Sequence, residues 1–408
     1  MPDRPALLLD ADHHGAWANT AALTAAGIDT DSPDPFDGRI ERSADGTPSG
    51  ALREGAMQLV SRLVPPAATA DVARALLAVS ATALAAGITG WQEAALGTYA
   101  GYPDFSAAYL ELTRTGTLVG RATGAIWVPR EVTDDTVDIF VAQCVERAET
   151  NTTAGFPTRT AKLMLDGIIE TRTAHVCAPY PDGSHGLAYF EPELIRRLIP
   201  ALNAAGVAVH VHALADAAVR DALDGFAAVP DHLRARVRNH IAHLELITPA
   251  DIPRFAALGV TANCQPFWAC RNELVREVTL PLLGRERPDA LYPFADLRRA
   301  GAALAMGSDW PVSTFDPWLG VHVAVTRRPP GEPDTAPLGD AQALPLVAAL
   351  DAYTRGSAEL LGIGPGTLTP GAPADLAVAD RDPFAAPVDR IHETRNVATI
   401  VGGEVVGG

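Results

Sequence analysis

Short apolar runs alternate with amphipathic stretches through residues 66–365. Helical periodicity, with apolar residues every three or four positions, predicts helices at 69–86, 104–116, 133–149, 191–205, 214–226, 249–257 and 292–300. Between these helices lie strand-like runs at 88–93, 120–127, 159–166, 207–212, 238–244, 260–264 and 302–308. Repeated strand-then-helix order predicts parallel strands joined by crossover helices. We therefore predict an α/β fold, a TIM-like (β/α) barrel with seven of its eight strands present.

Both ends of the chain depart from this pattern. Residues 1–65 are rich in Asp, Gly and Pro and contain one short helical pattern, AWANTAALTAAG. After a helical pattern at 340–362, residues 366–408 contain short strand-like runs, DLAVAD, ATIVGG and EVVG. Two short strands are marginal in water, so this C-terminal segment is expected to need partners.

Histidines occur near the ends of two neighbouring predicted strands, where barrels place their chemistry. In VAVHVH, His210 and His212 share one face, and His212 is nearer the strand end. We favour His212 as a metal ligand and His210, one layer deeper, as a buried core histidine. In RNHIAHLEL, we favour His243 as a ligand over a loop or capping histidine, and we expect His240 to face outward.

Two further residues carry charge at strand positions. Asp309 follows the apolar run ALAMGS, where a carboxylate can bind a metal and accept a proton from water. The alternative is a helix N-cap. Lys162 lies among apolar residues in TAKLMLD, and an unpaired buried ammonium is unfavourable. A lysine buried there would need a counter-ion or carboxylation to a carbamate. From these residues alone, a surface lysine whose stem alone is buried is favoured.

These strand ends, in this order, resemble the amidohydrolase superfamily. Within it, the chain is most similar to the amidohydrolase 3 group, which includes YtcJ-like proteins and N-substituted formamide deformylases. The resemblance covers nearly the whole chain and rests on the collinear segments ADHHGAWANTAAL, GTPSGALREGA, AKLMLDG, VHALADAAV, RNHIAHLELI, CQPFW, LGRERPDALYPFADLRRAG, GSDWPV and PGAPADLAVADRDP.

The resemblance implies a site for one or two divalent metal ions, commonly zinc. Lys162 would be the carboxylated lysine that bridges the ions, and His212 and His243 would hold the second ion. Asp309 would be a ligand and the general base that shuttles a proton to the leaving nitrogen. The substrate cleft would be lined by His14, Trp17, Asn19, Gln265 and Trp310.

The chain also departs from the family pattern. The family's first strand carries an H-x-H metal pair, and nothing before Asp12 supplies one. We therefore expect that an N-terminal segment with this strand is lacking, through a late start or a real truncation. The family's Glu before the strand-six histidine is Ala242, and its Gly-Asp is Ala215-Asp216.

The same family resemblance implies that the chain is divided into three regions. Residues 1–65 would be an N-terminal substrate-loop region inserted in the barrel, and residues 66–365 would be the catalytic (β/α) barrel. Residues 366–408 would be the C-terminal strands of a composite β-sandwich whose other strands come from the opposite end of the chain.

Composition and charge exclude some classes of binding partner. A net charge of −17 argues against nucleic acid, and no polybasic or long apolar segment indicates a membrane. The four cysteines form no C-x-x-C pair, which favours reduced thiols in a cytoplasmic protein. A small-molecule substrate is expected, and a homodimer stays open.

Two functions from different classes fit. The first is a metal-dependent hydrolase of C–N bonds other than peptide bonds, acting on an amide, formamide or cyclic amide. The alternative is an inactive remnant or a small-molecule binding module. A serine hydrolase is disfavoured because no G-x-S-x-G occurs.

Overall fold

A seven-stranded parallel sheet forms the centre of the computed structural model, which describes residues 3–99, 101–284 and 290–408. Residues 285–289, part of one segment of the family resemblance, lie outside the described residues. Each strand pairs with the next along the chain, which confirms the predicted partial barrel. The strands are β5 (Gly90–Leu96), β6 (Arg121–Trp127), β7 (Thr160–Met164), β8 (Ala208–Ala213), β9 (His240–His243), β10 (Thr261–Cys264) and β11 (Leu304–Met306).

Strand register brings the polar side chains into two layers. Lys162 on β7 lies opposite His210 on β8, and His210 lies opposite His240 on β9. Nearer the strand ends, His212 lies opposite Met164 on β7. Ala161 and Leu163 of β7, and Val209 and Val211 of β8, lie on the opposite face of the sheet and are fully buried. Burial on both faces explains why these strands appear as nearly continuous apolar runs.

The predicted crossover helices are present, with ends that shift by a few residues. The helix predicted at 340–362 begins only at Leu346, after a 3-10 turn at Asp340–Gln342, and it contains a π-helical turn at Ala352–Gly356. The α-helices are α1 (Thr20–Ala26), α2 (Gln58–Ser61), α3 (Thr69–Ala85), α4 (Ser106–Arg114), α5 (Val137–Thr153), α6 (Pro192–Ala204), α7 (Asp216–Ala227), α8 (Asp231–Arg234), α9 (Ile252–Leu258), α10 (Leu280–Leu283), α11 (Phe294–Arg299), α12 (Pro317–Thr326), α13 (Leu346–Asp351) and α14 (Ser357–Leu361). No helix among the described residues is both long and apolar enough to cross a bilayer.

An N-terminal antiparallel sheet was missed by the sequence analysis. Its strand order is β1-β2-β4-β3. The strands are three to seven residues long and lie among Asp, Gly and Pro, so their alternation is too short to be seen. They are β1 (Leu7–Leu9), β2 (Gly15–Ala18), β3 (Gly38–Arg42) and β4 (Pro48–Glu54).

A C-terminal antiparallel sheet confirms the three short strands expected there. Its order is β12 (Leu376–Ala379), β13 (Asn396–Val401) and β14 (Glu404–Gly407). Asp375 accepts hydrogen bonds from the Arg121 guanidinium at the start of β6, which ties this sheet to the barrel.

Arg327 is a buried cation that joins three loops. Its side chain is fully buried and donates to the carbonyl oxygens of Leu338 (2.7 Å), Leu291 (2.8 Å) and Tyr292 (3.3 Å). Burial lowers the pKa of Arg327 to about 10. The carbonyls and the Phe294 ring, 5.4 Å away, together compensate the charge.

We expect Arg327→Leu to lower the free energy of unfolding by about 3–5 kcal/mol, because three buried carbonyls lose their donor. Urea denaturation measures this as a shift in midpoint. The control is Arg355→Leu, which removes an exposed pair with Asp351 and should change stability by under about 0.5 kcal/mol. Equal midpoints for the two variants would contradict this account of Arg327.

Candidate metal centre

Three imidazole rings lie next to one another at the mouth of the partial barrel. The centroids of His212 and His243 are 4.4 Å apart, and those of His14 and His212 are 5.4 Å apart. His212 comes from the end of β8 and His243 from the end of β9. His14 is adjacent to Gly15, the first residue of β2. The N-terminal sheet therefore adds a histidine to the two that the sequence analysis placed at the strand ends.

The expectation for His240 is wrong, and the reason is local backbone geometry. His240 is 1% exposed, and its ring lies 4.2 Å from that of His210, so it faces the interior. Simple alternation would then turn His243 outward. Instead, His243 has a φ of 79° and Leu244 one of 57°, so the strand ends in a left-handed turn. That turn brings both histidines of β9 to the inner side.

Lys162 lies in the layer below the three rings. Its Nζ is 3.1 Å from Nε2 of His210, whose Nδ1 is 3.0 Å from Oε1 of Gln92. Burial lowers the pKa of Lys162 to about 8, with an opposing effect from Asp309. A buried amine with this pKa has more of its neutral form at neutral pH than an ordinary lysine does.

Asp309 follows β11 and has a φ of 55°, a strained conformation for a residue other than glycine. Burial raises the pKa of its carboxyl, although Lys162, His14 and His13 act in the opposite direction. Lys162 and the two adjacent histidines are therefore the basic groups whose charge would act on the Asp309 carboxyl. The helix-cap role weighed against catalysis belongs to Asp316 instead, which accepts a hydrogen bond from the Trp318 amide at the start of α12.

The histidines have the donor chemistry that a transition metal needs. Burial first, and the proximity of other basic side chains second, lower the pKa values of His212 and His243 well below the ordinary value, so both imidazoles are neutral. Neutral imidazole is the form that binds metal. Nδ1 of His243 is buried and has no hydrogen-bond partner in the described part of the chain.

The ligand cage is not complete from these side chains alone. Within residues 3–99, 101–284 and 290–408, no group of three His, Cys, Asp or Glu side chains lies close enough to hold a metal ion. His212 and His243 are thus a candidate ligand pair, and Asp309 does not complete a cage with them as the described side chains stand. A further ligand would have to come from Lys162 or from a shift of Asp309, and zinc sites accept such N and O donors.

The residues expected to line the substrate cleft occupy different environments. Gln265 is buried, and its Oε1 accepts a hydrogen bond from the His243 amide at 2.8 Å. Asn19 is the N-cap of α1, and its side-chain oxygen accepts a hydrogen bond from the Ala22 amide. Trp17 (55% exposed) and Trp310 (46% exposed) are open to solvent. Gln265 therefore holds the backbone of His243, a candidate metal ligand, through a hydrogen bond. The substrate-binding roles of all four residues stay predictions.

Two residues near the histidine rings were not singled out from the sequence. Trp268 stacks on His243 with an interplanar angle of 13°, and CQPFW was its only sequence signal. Asp166 lies 3.7 Å from Nε2 of His212 and accepts backbone hydrogen bonds from Leu214 and Ala215. Burial raises the pKa of Asp166 to about 7 despite these bonds.

Glu54 is a third residue that was missed, although it lies in the segment GTPSGALREGA. It is 2% exposed, and its Oε1 lies 2.8 Å from Nδ1 of His14. Burial opposes charge on His14, but Glu54 raises the pKa of the imidazole overall. For Glu54, His14 and then Arg130 outweigh burial and lower the carboxyl pKa. Each member of the pair therefore favours the charged form of the other.

Comparisons with known proteins agree with this fold. The profile of a family described as "Amidohydrolase family" matches residues 1–407. YtcJ of Bacillus subtilis (strain 168) is 29% identical over 413 residues, covering 100% of this chain and 74% of YtcJ. The N-substituted formamide deformylase of Arthrobacter pascens is 26% identical over 421 residues, covering 98% of this chain and 73% of that enzyme.

Among solved structures, an uncharacterized metal-dependent hydrolase from Pyrococcus horikoshii OT3 has a TM-score of 0.68 and 24% sequence identity. The match covers 95% of this chain and 73% of that one. At this level of identity, the likeness shows a shared fold.

Proposed function

This chain belongs to the amidohydrolase family, and on that premise we propose that it is a metal-dependent hydrolase of C–N bonds other than peptide bonds. The substrate class is an amide, formamide or cyclic amide. The observation that carries the proposal is the pair of buried, neutral imidazoles of His212 and His243, with Asp309 and Lys162 in electrostatic range.

The proposed ligands are Lys162, His212, His243 and Asp309. Carboxylation of the neutral Lys162 amine by CO₂ forms a new N–C bond and releases a proton. The product is a carbamate anion that can complete the cage that the imidazoles leave open. These residues would hold a divalent ion, most simply zinc given their N and O donors, which would supply polarisation of the substrate carbonyl and a lowered pKa of water.

Asp309 is the proposed general base. Its carboxylate accepts a proton from the attacking water as the water oxygen bonds to the carbonyl carbon. It then returns that proton to the leaving nitrogen as the C–N bond breaks, which leaves a carboxylic acid and an amine. The raised pKa of Asp309 suits this role, because proton transfer is efficient when the pKa of the base approaches the working pH.

The proposal predicts that hydrolysis depends on metal. Protein stripped with a chelator should lose activity by about a hundredfold or more, and added Zn²⁺ should restore it. The assay measures amine release from two panels, N-substituted formamides and N-acyl amines, and formation of the ring-opened N-carbamoyl acid from a third panel of cyclic ureides. His243→Ala should fail to recover with Zn²⁺, because one imidazole of the pair is gone.

His232→Ala is the matched control, since His232 is exposed on α8 and should leave recovery unchanged. Equal activity of the stripped and zinc-loaded proteins would contradict metal dependence. Zinc-loaded protein that hydrolyses none of the three panels would refute the hydrolase and favour the alternative, an inactive or ligand-binding member of the family.

A further inference from the structure

His210 is held between two polar side chains in the layer below the histidine rings. Its Nδ1 is 3.0 Å from Oε1 of Gln92, and its Nε2 is 3.1 Å from Nζ of Lys162. Gln92 lies on β5 and His210 on β8, three strands apart in the sheet, so this contact crosses the interior of the partial barrel. Both ring nitrogens of His210 are therefore engaged, one by each partner.

The partners of His210 determine which ring nitrogen carries the hydrogen. The ring is 5% exposed, and burial lowers its pKa well below the ordinary value, so it is neutral and has one N–H. The amide oxygen of Gln92 can only accept, so that N–H is on Nδ1. Nε2 then has a lone pair, and it accepts a hydrogen bond from Nζ of Lys162.

The number of N–H groups on the Lys162 nitrogen matters because this nitrogen has one acceptor. Lys162 is 7% exposed, and His210 is the hydrogen-bond partner of its Nζ in the described part of the chain. An ammonium has three N–H donors, a neutral amine has two, and a carbamate nitrogen has one. Buried donors without an acceptor are unfavourable. The carbamate is therefore the form whose donors match what the described residues accept.

His240 packs beside this chain of hydrogen bonds without joining it. Its ring centroid is 4.2 Å from that of His210, which it faces in strand register. Nε2 of His240 is buried and has no hydrogen-bond partner among the described residues. His240 therefore contributes packing to the layer, while the polar contacts of Lys162 run through His210 to Gln92.

We propose that Gln92 and His210 are positioning residues for the carboxylation of Lys162, with Nε2 of His210 accepting the one N–H that the carbamate keeps. This inference rests on the proposed hydrolase function and extends it to the residues that support the carbamate. The Nζ lone pair bonds to the carbon of CO₂ while one C=O π pair moves onto oxygen. One N–H proton leaves to solvent, and the other N–H stays on His210. The opposite tautomer would donate to the lone pair and block this step.

The test measures the carbamate itself, by ¹³C NMR of zinc-loaded protein equilibrated with ¹³C-bicarbonate. The unaltered protein should give a carbamate signal that Lys162→Met lacks. His210→Leu removes the acceptor and should reduce the signal by about tenfold at the same bicarbonate concentration. His210→Gln can place an amide oxygen near the position of Nε2, so it should keep most of the signal. This conservative variant separates a lost acceptor from a damaged core.

A second set of variants tests the role of Gln92. Gln92→Met removes the oxygen that holds the hydrogen on Nδ1 of His210 and should lower the carbamate signal by about threefold or more. Gln92→Glu also only accepts at this position and should keep the signal. His240→Phe is the control, because it changes the neighbouring ring and leaves the hydrogen bonds intact. An unchanged signal in His210→Leu, or an equal loss in His240→Phe, would overturn the inference.

Turnover measured on the same samples separates this inference from the proposed function. A carbamate signal that depends on His210, in a protein that hydrolyses none of the three panels, would support the inference and count against the hydrolase. Hydrolysis by an unaltered protein without a carbamate signal would overturn the inference and leave the hydrolase standing. The absence of both signal and hydrolysis would overturn both.

Discussion

Asp309→Asn should lower kcat by about a thousandfold or more, the largest effect that we expect from one substitution. Asparagine keeps the size of the side chain but cannot accept and return a proton, and proton transfer contributes about 10²–10⁴. It is also a weaker ligand, which adds to the loss. The measurement is kcat on the best substrate of the panel, with zinc content determined on the same sample.

The matched control is Asp316→Asn, which lies seven residues further on at the N-terminus of α12. Asparagine is an equally good helix cap, so its activity and stability should match those of the unaltered protein. Retention of more than about a tenth of kcat by Asp309→Asn would remove Asp309 from the role of general base.

Lys162→Met should abolish most activity without weakening the fold. Methionine matches the length of lysine but offers neither an amine nor a carbamate, so we expect zinc content to fall and kcat to drop about a hundredfold or more. Because burial disfavours the Lys162 ammonium, replacing it with an apolar side chain should leave the free energy of unfolding unchanged or higher.

The effect of added bicarbonate on activity tests whether Lys162 is carboxylated or remains a simple ammonium. Protein depleted of CO₂ should regain activity when bicarbonate is added, and Lys162→Met should not respond. If depletion has no effect on the unaltered protein while Lys162→Met is inactive, Lys162 acts as an amine near His210 and the carbamate is wrong.

The barrel strands could be predicted because their signal is local. Runs such as VAVHVH have valines on one face and two histidines on the other, and each is followed by a helix with clear periodicity, so element type and order follow from the residue pattern. The same runs end in His212 and in GSD with Asp309, which located two members of the candidate site.

Other parts of the site depend on geometry that a sequence does not display. His240 and His243 differ by three positions and should face opposite sides, yet the positive φ at His243 brings both inward. Nothing in HIAHLEL indicates that turn. Sequence alternation is therefore reliable within a strand and fails at its end, where the ligands of a barrel lie.

Glu54 shows a second kind of limit. Its partner His14 is forty residues earlier, and the two meet through pairing of β2 with β4, strands too short to give a periodic signal. The strained backbone at Glu54 and the space left by Gly167 become visible only in three dimensions. Family resemblance covered this segment, but it did not show which residue would support His14.

The central claim is that four side chains bind one cation, those of Lys162, His212, His243 and Asp309. Anomalous X-ray diffraction at the zinc edge, from a crystal of the zinc-loaded protein, tests this claim most directly. The account predicts a peak about 2.0–2.1 Å from an imidazole nitrogen of both His212 and His243, with an oxygen of Asp309 or of a modified Lys162 completing the shell. A zinc peak held by other residues, or none at the mouth of the barrel in a crystal that contains zinc, would contradict it.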